Sequence, residues 1–240
     1  MPGPLLLKLK QRDHLSAEEQ AVIKDLCNAS KPYAAGEALV REGDRPGHSS
    51  IIESGWAGRV KFVGEGNRTI SALHLAGDFI DLHSFLLKPM DHSVIALTDC
   101  RISLAPHDRL KTATEKYPHL SRLFWLDTLV DAAIHRTWIA GLGGRSAAQR
   151  LAHLFCELLM RTQAVDMADD NLGYDLPLTQ TVLADTLGMT TTHLNRSLQE
   201  LRSQELIRFG SGHLRILNWD RLRELADFDP AYLNMTCEPR

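Results

Sequence analysis

The sequence predicts an α+β protein: an antiparallel roll of short strands, a long central helix and a carboxy-terminal helical unit that ends in a hairpin. Three observations predict this order. Eight of the 16 glycines lie between Gly36 and Gly77, where they separate β-branched runs. No glycine lies between Asp78 and Ala140, and from Pro118 the apolar residues recur at helical spacing. Further amphipathic segments and two short strand-like runs follow.

The composition is that of an ordinary globular protein of one or two domains. The chain has 240 residues, 44% of them hydrophobic, and a net charge of −3 at pH 7. This balance excludes a bulk polycation, although a local basic face can still bind a nucleic acid. Residues 1–9 lack the apolar core of a secretory signal, and no apolar run approaches the ~18 residues that span a bilayer. We therefore expect a cytoplasmic protein with no membrane partner.

A first domain is expected over residues 1–117, with an antiparallel β-roll as its core. Short strands at spacings of about 8–12 residues, bounded by turns such as Gly64–Asn67, are typical of such rolls. A helix is expected before the roll, because Ser16 and Glu19 have the spacing of a capping box. The predicted strands are Ser49–Glu53, Arg59–Val63, Thr69–Leu73, Ser93–Leu97 and Cys100–Leu104.

A long helix is expected over residues 118–144, with a glycine-rich hinge at its end. Its apolar residues recur at alternating intervals of 3 and 4 residues, the heptad-like spacing of a helix that pairs with a second copy. A helix buried on its own domain would show a similar pattern, and this segment alone does not choose between the two. The candidate dimer seam is Leu123, Leu126, Val130, Ala133 and Thr137.

The most specific motif is a helix-turn-helix in the last third of the chain, for which we expect a domain over residues 145–240. Thr179 and Thr190 are suitable caps for two successive helices. Gly188 between them permits a left-handed turn, and Ala184 is small where the helices touch.

The second helix of this motif divides into an apolar and a polar face at about 100° per residue. Leu194, Leu198 and Leu201 fall on one side. The opposite side carries hydrogen-bonding groups that suit base edges and phosphates, which predicts double-stranded DNA as a partner. A solvated face on an ordinary helical hairpin is the alternative. The candidate DNA-binding residues are Thr190, Thr191, Thr192, His193, Asn195 and Arg196, with Arg208 in the hairpin that follows.

That hairpin predicts a wing. Residues 206–209 and 213–217 are strand-like runs joined by a Gly-Ser-Gly turn, and the acidic stretch 166–175 before the motif is expected to be an exposed loop. Between Pro177 and Asn218 the charges are four Arg against three acids. A single copy would therefore bind DNA weakly, and we expect a homodimer.

These features together resemble the Crp/Fnr superfamily of bacterial transcription regulators. The resemblance rests on Tyr33–Glu37, Gly55 and Gly77–Ile80 in the roll, and on the helix-turn-helix. The ending Leu225–Leu233 is similar to a tail common in alphaproteobacterial members. The resemblance implies a cyclic-nucleotide-binding-like jelly roll, a dimerisation helix, a near-palindromic operator and RNA polymerase as a further partner. Ser197 departs from the pattern, since the family usually has an aliphatic residue there.

The same resemblance implies a diverged effector pocket. In members that bind cyclic AMP, a Gly-Glu pair and an Arg-Ser pair hold the cyclic phosphate. The corresponding residues here are Asp81, Leu82, His92 and Ser93. The change removes a bidentate phosphate partner and adds a carboxylate beside an anion site, so we expect no tight binding of cyclic AMP.

No cofactor is predicted, although haem or a small-molecule effector stays open. Four widely separated cysteines exclude a zinc or iron–sulfur motif and are expected to be buried thiols. His74, His83 and His92 are spaced by nine residues, which is no ligand motif, so we expect core or surface histidines and no metal. No catalytic motif is present, and we expect no enzyme. The alternative function is a small-molecule or haem sensor whose winged domain serves protein contacts.

Overall fold

The predicted α+β fold is confirmed by the computed structural model, which describes residues 3–27, 29–64 and 67–240. In the predicted turn Gly64–Asn67, Glu65 and Gly66 lie outside the described residues. The helices are α1 (Pro4–Lys10), α2 (Ala17–Leu26), α3 (His107–Lys116), α4 (Pro118–Gly144), α5 (Ala147–Gln163), α6 (Gln180–Leu187), α7 (Thr191–Ser203) and α8 (Trp219–Leu225). Two short 3-10 helices span Leu82–Phe85 and Pro230–Leu233.

The strands form two antiparallel sheets in the roll and a third in the wing. They are β1 (Ser30–Tyr33), β2 (Ala38–Val40), β3 (His48–Ser54), β4 (Ala57–Val63), β5 (Asn67–His74), β6 (Ser93–Ala96), β7 (Cys100–Pro106), β8 (Gly173–Asp175), β9 (Ile207–Gly210) and β10 (His213–Ile216). The roll sheets have the orders β1-β7-β3 and β2-β6-β4-β5, and the wing has the order β8-β10-β9. The five strands predicted in the roll correspond to β3–β7.

Local sequence chemistry explains several element ends. The hydroxyl of Ser16 accepts from the Glu19 backbone N–H at 3.2 Å, and the Glu19 carboxylate accepts from the Ser16 N–H at 2.8 Å. This reciprocal pair is the predicted capping box of α2. Ser146 and Gln149 form the same motif at the start of α5. Gly55 has a φ of +91° in the turn between β3 and β4, where a Cβ would meet the Asp99 carbonyl.

The central helix α4 corrects the predicted dimer seam. Leu123 is fully buried against α1 and α2 of its own chain, and Val130 is only 6% exposed in the core shared with α5. Leu126, Ala133 and Thr137 are half-buried. These positions therefore face the chain's own core, since α4 is sandwiched between the roll and the carboxy-terminal unit.

The exposed stripe of α4 lies one residue earlier, and we call it the outer seam. It runs through positions 122, 125, 129, 132, 136 and 139, of which all but the half-buried position 132 are exposed, and so keeps the alternating 3- and 4-residue spacing. Its large apolar members are Trp125, Leu129 and Ile139, which are 67%, 48% and 68% exposed. The sequence predicted the heptad spacing of α4, but it did not predict which face of the helix is exposed to solvent.

Two further expectations need correction. The stretch 166–175 is not wholly an exposed loop, because β8 pairs with β10 and buries Tyr174, whose hydroxyl donates to the Phe155 carbonyl at 3.0 Å. Among the cysteines, Cys237 is exposed, whereas Cys100 and Cys156 are buried and Cys27 is half-buried. Burial raises the pKa of the Cys156 thiol to about 12.

The carboxy-terminal unit is held on the roll by ion pairs. Arg161 of α5 donates to the Asp78 carboxylate at 2.8 Å and to the Leu73 carbonyl at 2.7 Å. On another side, Arg68 of β5 donates to Asp185 of α6 at 2.6 Å. Within the described ranges, no helix is both long and apolar enough to cross a bilayer.

Candidate nucleic-acid interface and effector cavity

The helix-turn-helix has the predicted local geometry. The hydroxyls of Thr179 and Thr190 each accept a backbone N–H from the third residue beyond, at 3.2 Å, and so cap α6 and α7. Gly188 ends α6 in the left-handed conformation, with φ 60°. An added Cβ there would meet a Leu142 methyl of α4 at 3.2 Å, so glycine also serves the close approach of the two helices.

Helix α7 separates its two faces as the sequence predicts. Leu194, Leu198 and Leu201 are fully buried. Ser197, where an aliphatic residue was expected, is 3% exposed, so its small side chain fits a tight contact. The predicted DNA-reading side chains are all exposed, at Thr191, Thr192, His193, Asn195 and Arg196. Thr190 is exposed too, but its hydroxyl is engaged as the helix cap.

The wing leaves a second cation exposed. Of the four arginines in this region, Arg202 donates to the Phe209 carbonyl at 2.6 Å and Arg215 donates to Asp169 at 3.2 Å. Arg208 is exposed on β9, and no group in the part of the chain that the structure describes accepts a hydrogen bond from it or from Arg196. Arg196 on α7 and Arg208 on the wing are therefore free to contact DNA.

The four predicted effector residues do not line one cavity. Asp81 is buried, accepts from the Ser50 N–H and hydroxyl, and borders a cavity of about 300 Å³. Leu82 packs on the core beneath α1 and α2. The Ser93 hydroxyl accepts from the Glu42 N–H at 2.9 Å. Of the four, only His92 reaches the cavity between the roll and α4. Residues that are adjacent along the chain are separated because their side chains point to different sides of the loop.

This cavity between the roll and α4, of about 520 Å³, is the candidate effector site. Its floor is β4 and β5, and its walls are the loop before β6, α4 and the start of the carboxy-terminal unit. Arg59 crosses it, donating to Asp131 at 3.0 Å and contacting the His135 Nε2 atom at 3.0 Å. Trp138 and Leu187 supply apolar walls. A cavity of this size, lined by apolar side chains together with several charged ones, suits a small molecule with polar groups.

Two histidines of the cavity wall lie together, which the nine-residue spacing did not indicate. The rings of His83 and His92 have centroids 5.0 Å apart. The His92 Nδ1 atom lies 2.8 Å from an Asp91 carboxylate oxygen. Burial, followed by the positive charge of Arg59, lowers the pKa of His92 to about 4, and the same causes lower the pKa of His83. Both rings are therefore neutral at pH 7, and His92 supplies no charge to an anion. His74 is buried apart from this pair.

No pattern in the sequence indicates this pair. The nine-residue spacing matches no ligand motif, and the segment between β5 and β6 joins two strands that run parallel on either side of β4.

Comparisons with known proteins agree with this architecture. Residues 149–225 match the Crp-like helix-turn-helix domain family, and residues 30–117 match the cyclic nucleotide-binding domain family. The transcriptional activator protein FnrL of Cereibacter sphaeroides is 26% identical over 216 residues, 89% of this chain and 86% of FnrL. The nitrogen fixation regulation protein FixK of Bradyrhizobium diazoefficiens is 26% identical over 199 residues, 81% of this chain and 80% of FixK. The solved structure of FixK2 from Bradyrhizobium japonicum has a TM-score of 0.71 at 23% identity, covering 82% of this chain and 96% of FixK2.

A β-roll followed by a long helix and a winged helix-turn-helix with an exposed polar face defines a DNA-binding transcription regulator, not an enzyme. The chain belongs to the Crp/Fnr superfamily of bacterial transcription regulators.

Proposed function

We propose that the protein is a homodimeric, sequence-specific regulator that binds a near-palindromic operator in the cytoplasm. The proposal rests on the two faces of α7: its polar face is exposed, and the three leucines of the opposite face are fully buried. In this proposal residues 1–117 sense, residues 118–144 dimerise and residues 145–240 bind DNA. Two-fold symmetry sets the half-sites about one helical turn, roughly 34 Å, apart. Contact with RNA polymerase is proposed because FnrL is named a transcriptional activator.

The first test is selection of bound fragments from fragmented genomic DNA by the purified full-length protein. We expect a common, near-palindromic sequence among the selected fragments. Recovery of fragments without a shared sequence would contradict sequence-specific binding.

Arg196 is proposed to read guanine in that operator. Its guanidinium is exposed and can bond O6 and N7 of one guanine in the major groove. We expect Arg196→Ala to weaken binding to the selected operator by about 1–3 kcal/mol and to change binding to a scrambled duplex much less. Fluorescence anisotropy titrations on both duplexes measure the difference. Asn195 is proposed to read adenine and Thr192 to contact a thymine methyl.

Arg208 provides the matched comparison, because it is the other exposed arginine without a hydrogen-bond acceptor among the described residues 177–218. Because a phosphate contact does not distinguish sequences, we expect Arg208→Ala to weaken binding to both duplexes alike. It should also lower by about 1 the slope of the logarithm of the binding constant against the logarithm of the salt concentration. Equal losses on both duplexes for Arg196→Ala would instead make Arg196 a second phosphate contact.

Cyclic AMP is not proposed as a tight effector. His92 stands where cyclic-AMP-binding members have an arginine, and its neutral ring offers no charge to a phosphate. We expect isothermal titration calorimetry to detect no binding of cyclic AMP at micromolar affinity. A micromolar or tighter dissociation constant would overturn this expectation.

Sensing by the roll, with the winged domain serving protein contacts, is a second candidate function. The cavity of about 520 Å³ supports it. Failure of the protein to retain any genomic fragment would favour this function over DNA binding. A coloured purified protein with a Soret band would identify haem as the ligand.

A further inference from the structure

We propose that His83, Asp91 and His92 form a binding site for a divalent transition-metal ion of the zinc and ferrous-iron class. These residues lie on the loop between β5 and β6 and reach the wall of the large cavity. The site is independent of the DNA-binding function proposed above, since none of its residues belongs to the helix-turn-helix or the wing.

The three side chains bring ligand atoms close together. One atom from each, a ring nitrogen of either histidine and a carboxylate oxygen of Asp91, lies within 4.8 Å of the other two. In a tetrahedral site with bonds of about 2.0–2.1 Å, the ligand atoms are about 3.3 Å apart. The side chain of Asp91 is 72% exposed and His83 is half-buried, so these two can rotate inward toward the fixed His92. Among the described residues, this is the only group of three such side chains within that distance.

The hydrogen bonding of the histidines points to a ligand. His92 is 5% exposed, yet its Nε2 atom has no hydrogen-bond partner, and neither has the buried Nε2 atom of His83. A buried polar atom without a partner carries a desolvation cost, which a metal bond would offset.

The charges around the site permit a cation. Arg59 is the nearest positive group, and it is paired with Asp131 at 3.0 Å, so its charge is offset. The two imidazole nitrogens are borderline donors and the carboxylate oxygen is a hard donor. This set suits Zn²⁺ and Fe²⁺ rather than Ca²⁺ or a soft cuprous ion. Three protein ligands leave at least one coordination position for water or a small molecule from the cavity.

The test uses metal-free, full-length protein without a polyhistidine tag, and Zn²⁺ as the probe. We expect calorimetry to give one ion per chain with a dissociation constant in the micromolar range or below. Co²⁺ should produce visible absorption bands from a site with nitrogen ligands. His83→Gln and Asp91→Asn should each weaken Zn²⁺ binding by at least about tenfold, and the double variant by more. His83 and Asp91 are not fully buried, so their variants should fold. They therefore test the site even if the variant of the buried residue, His92→Gln, does not fold.

His213→Gln is the matched control. It changes another histidine paired with an aspartate, His213 with Asp175 at 3.0 Å, but among the described residues this pair belongs to no group of three possible ligands. We expect it to bind Zn²⁺ as the unchanged protein does. Equal affinity in the control and in His83→Gln, or less than one bound ion per chain, would overturn the proposal. Operator binding is measured on the unchanged protein and on His83→Gln, neither of which alters the DNA-binding module, so the two proposals fail separately.

Discussion

Leu129→Asp is expected to convert the protein from a dimer to a monomer and to lower its affinity for operator DNA by at least about 100-fold. Leu129 lies at the middle of the outer seam and is 48% exposed in the single chain. A carboxylate there would be buried against the same residue of a second copy, since a two-fold axis brings equivalent positions together. Sedimentation equilibrium measures the assembly state, and anisotropy on the operator measures the affinity.

The affinity should fall so far because one module offers few charges. Between Pro177 and Asn218, Arg196 and Arg208 are the arginines that the described contacts leave exposed and unpaired, so a single copy neutralises few phosphates. A dimer converts the second half-site contact into an intramolecular event, and this gain is lost in a monomer.

Leu217→Asp is the control for this experiment. Leu217 is 45% exposed, close to the exposure of Leu129, but it follows the wing and does not lie on α4. It should leave the protein a dimer. A Leu129→Asp protein that stays dimeric would show that the outer seam is not the interface.

The seam illustrates what periodicity can and cannot predict. Intervals of 3 and 4 residues define a stripe on a helix, but a helix with apolar residues on several sides contains more than one such stripe. Leu123 and Val130 satisfy the spacing as well as Trp125 and Leu129 do. Which stripe is buried within the chain depends on α1, α2 and α5, whose positions are set by tertiary packing.

The helix-turn-helix was predicted closely because its determinants are local. Caps at Thr179 and Thr190, and a left-handed glycine between them, act within a few residues of the bonds that they satisfy. The strands β1 and β2 were not predicted, since β1 is largely exposed and shows no alternation of apolar and polar residues. Its place is fixed by pairing with β7, a contact some 70 residues distant along the chain.

The effector region was predicted least well. Alignment with a family motif placed Asp81, Leu82, His92 and Ser93 in one pocket, but the loop directs them to different surroundings. A motif predicts the course of the backbone, and the side chains that replace its ligands are free to make other contacts. Asp81 is the clearest case, because its carboxyl group is buried in the roll and accepts from Ser50.

Asp81→Asn is expected to stabilise the protein at pH 8 by up to about 4 kcal/mol relative to the unchanged chain, and by little at pH 4. Burial raises the pKa of the Asp81 carboxyl from 3.8 to about 7, although hydrogen bonds from Ser50 act in the opposite direction. The folded state therefore holds the proton more tightly than the unfolded state does. The stability that this group contributes is fully present below about pH 4 and is lost as the pH rises to about 7.

Asparagine is the matched replacement because it keeps the shape and cannot ionise. Its carbonyl can accept from the Ser50 N–H, and its amide can donate to the Ser50 hydroxyl, 3.2 Å from Asp81. Urea unfolding at a series of pH values should show the two proteins converging at acid pH and separating between about pH 4 and pH 7. Asp170→Asn, an exposed acid in the loop before β8, should run parallel to the unchanged protein throughout. A pH-independent difference between Asp81→Asn and the unchanged chain would mean that Asp81 stays ionised in the fold, held by Ser50 strongly enough to offset its burial.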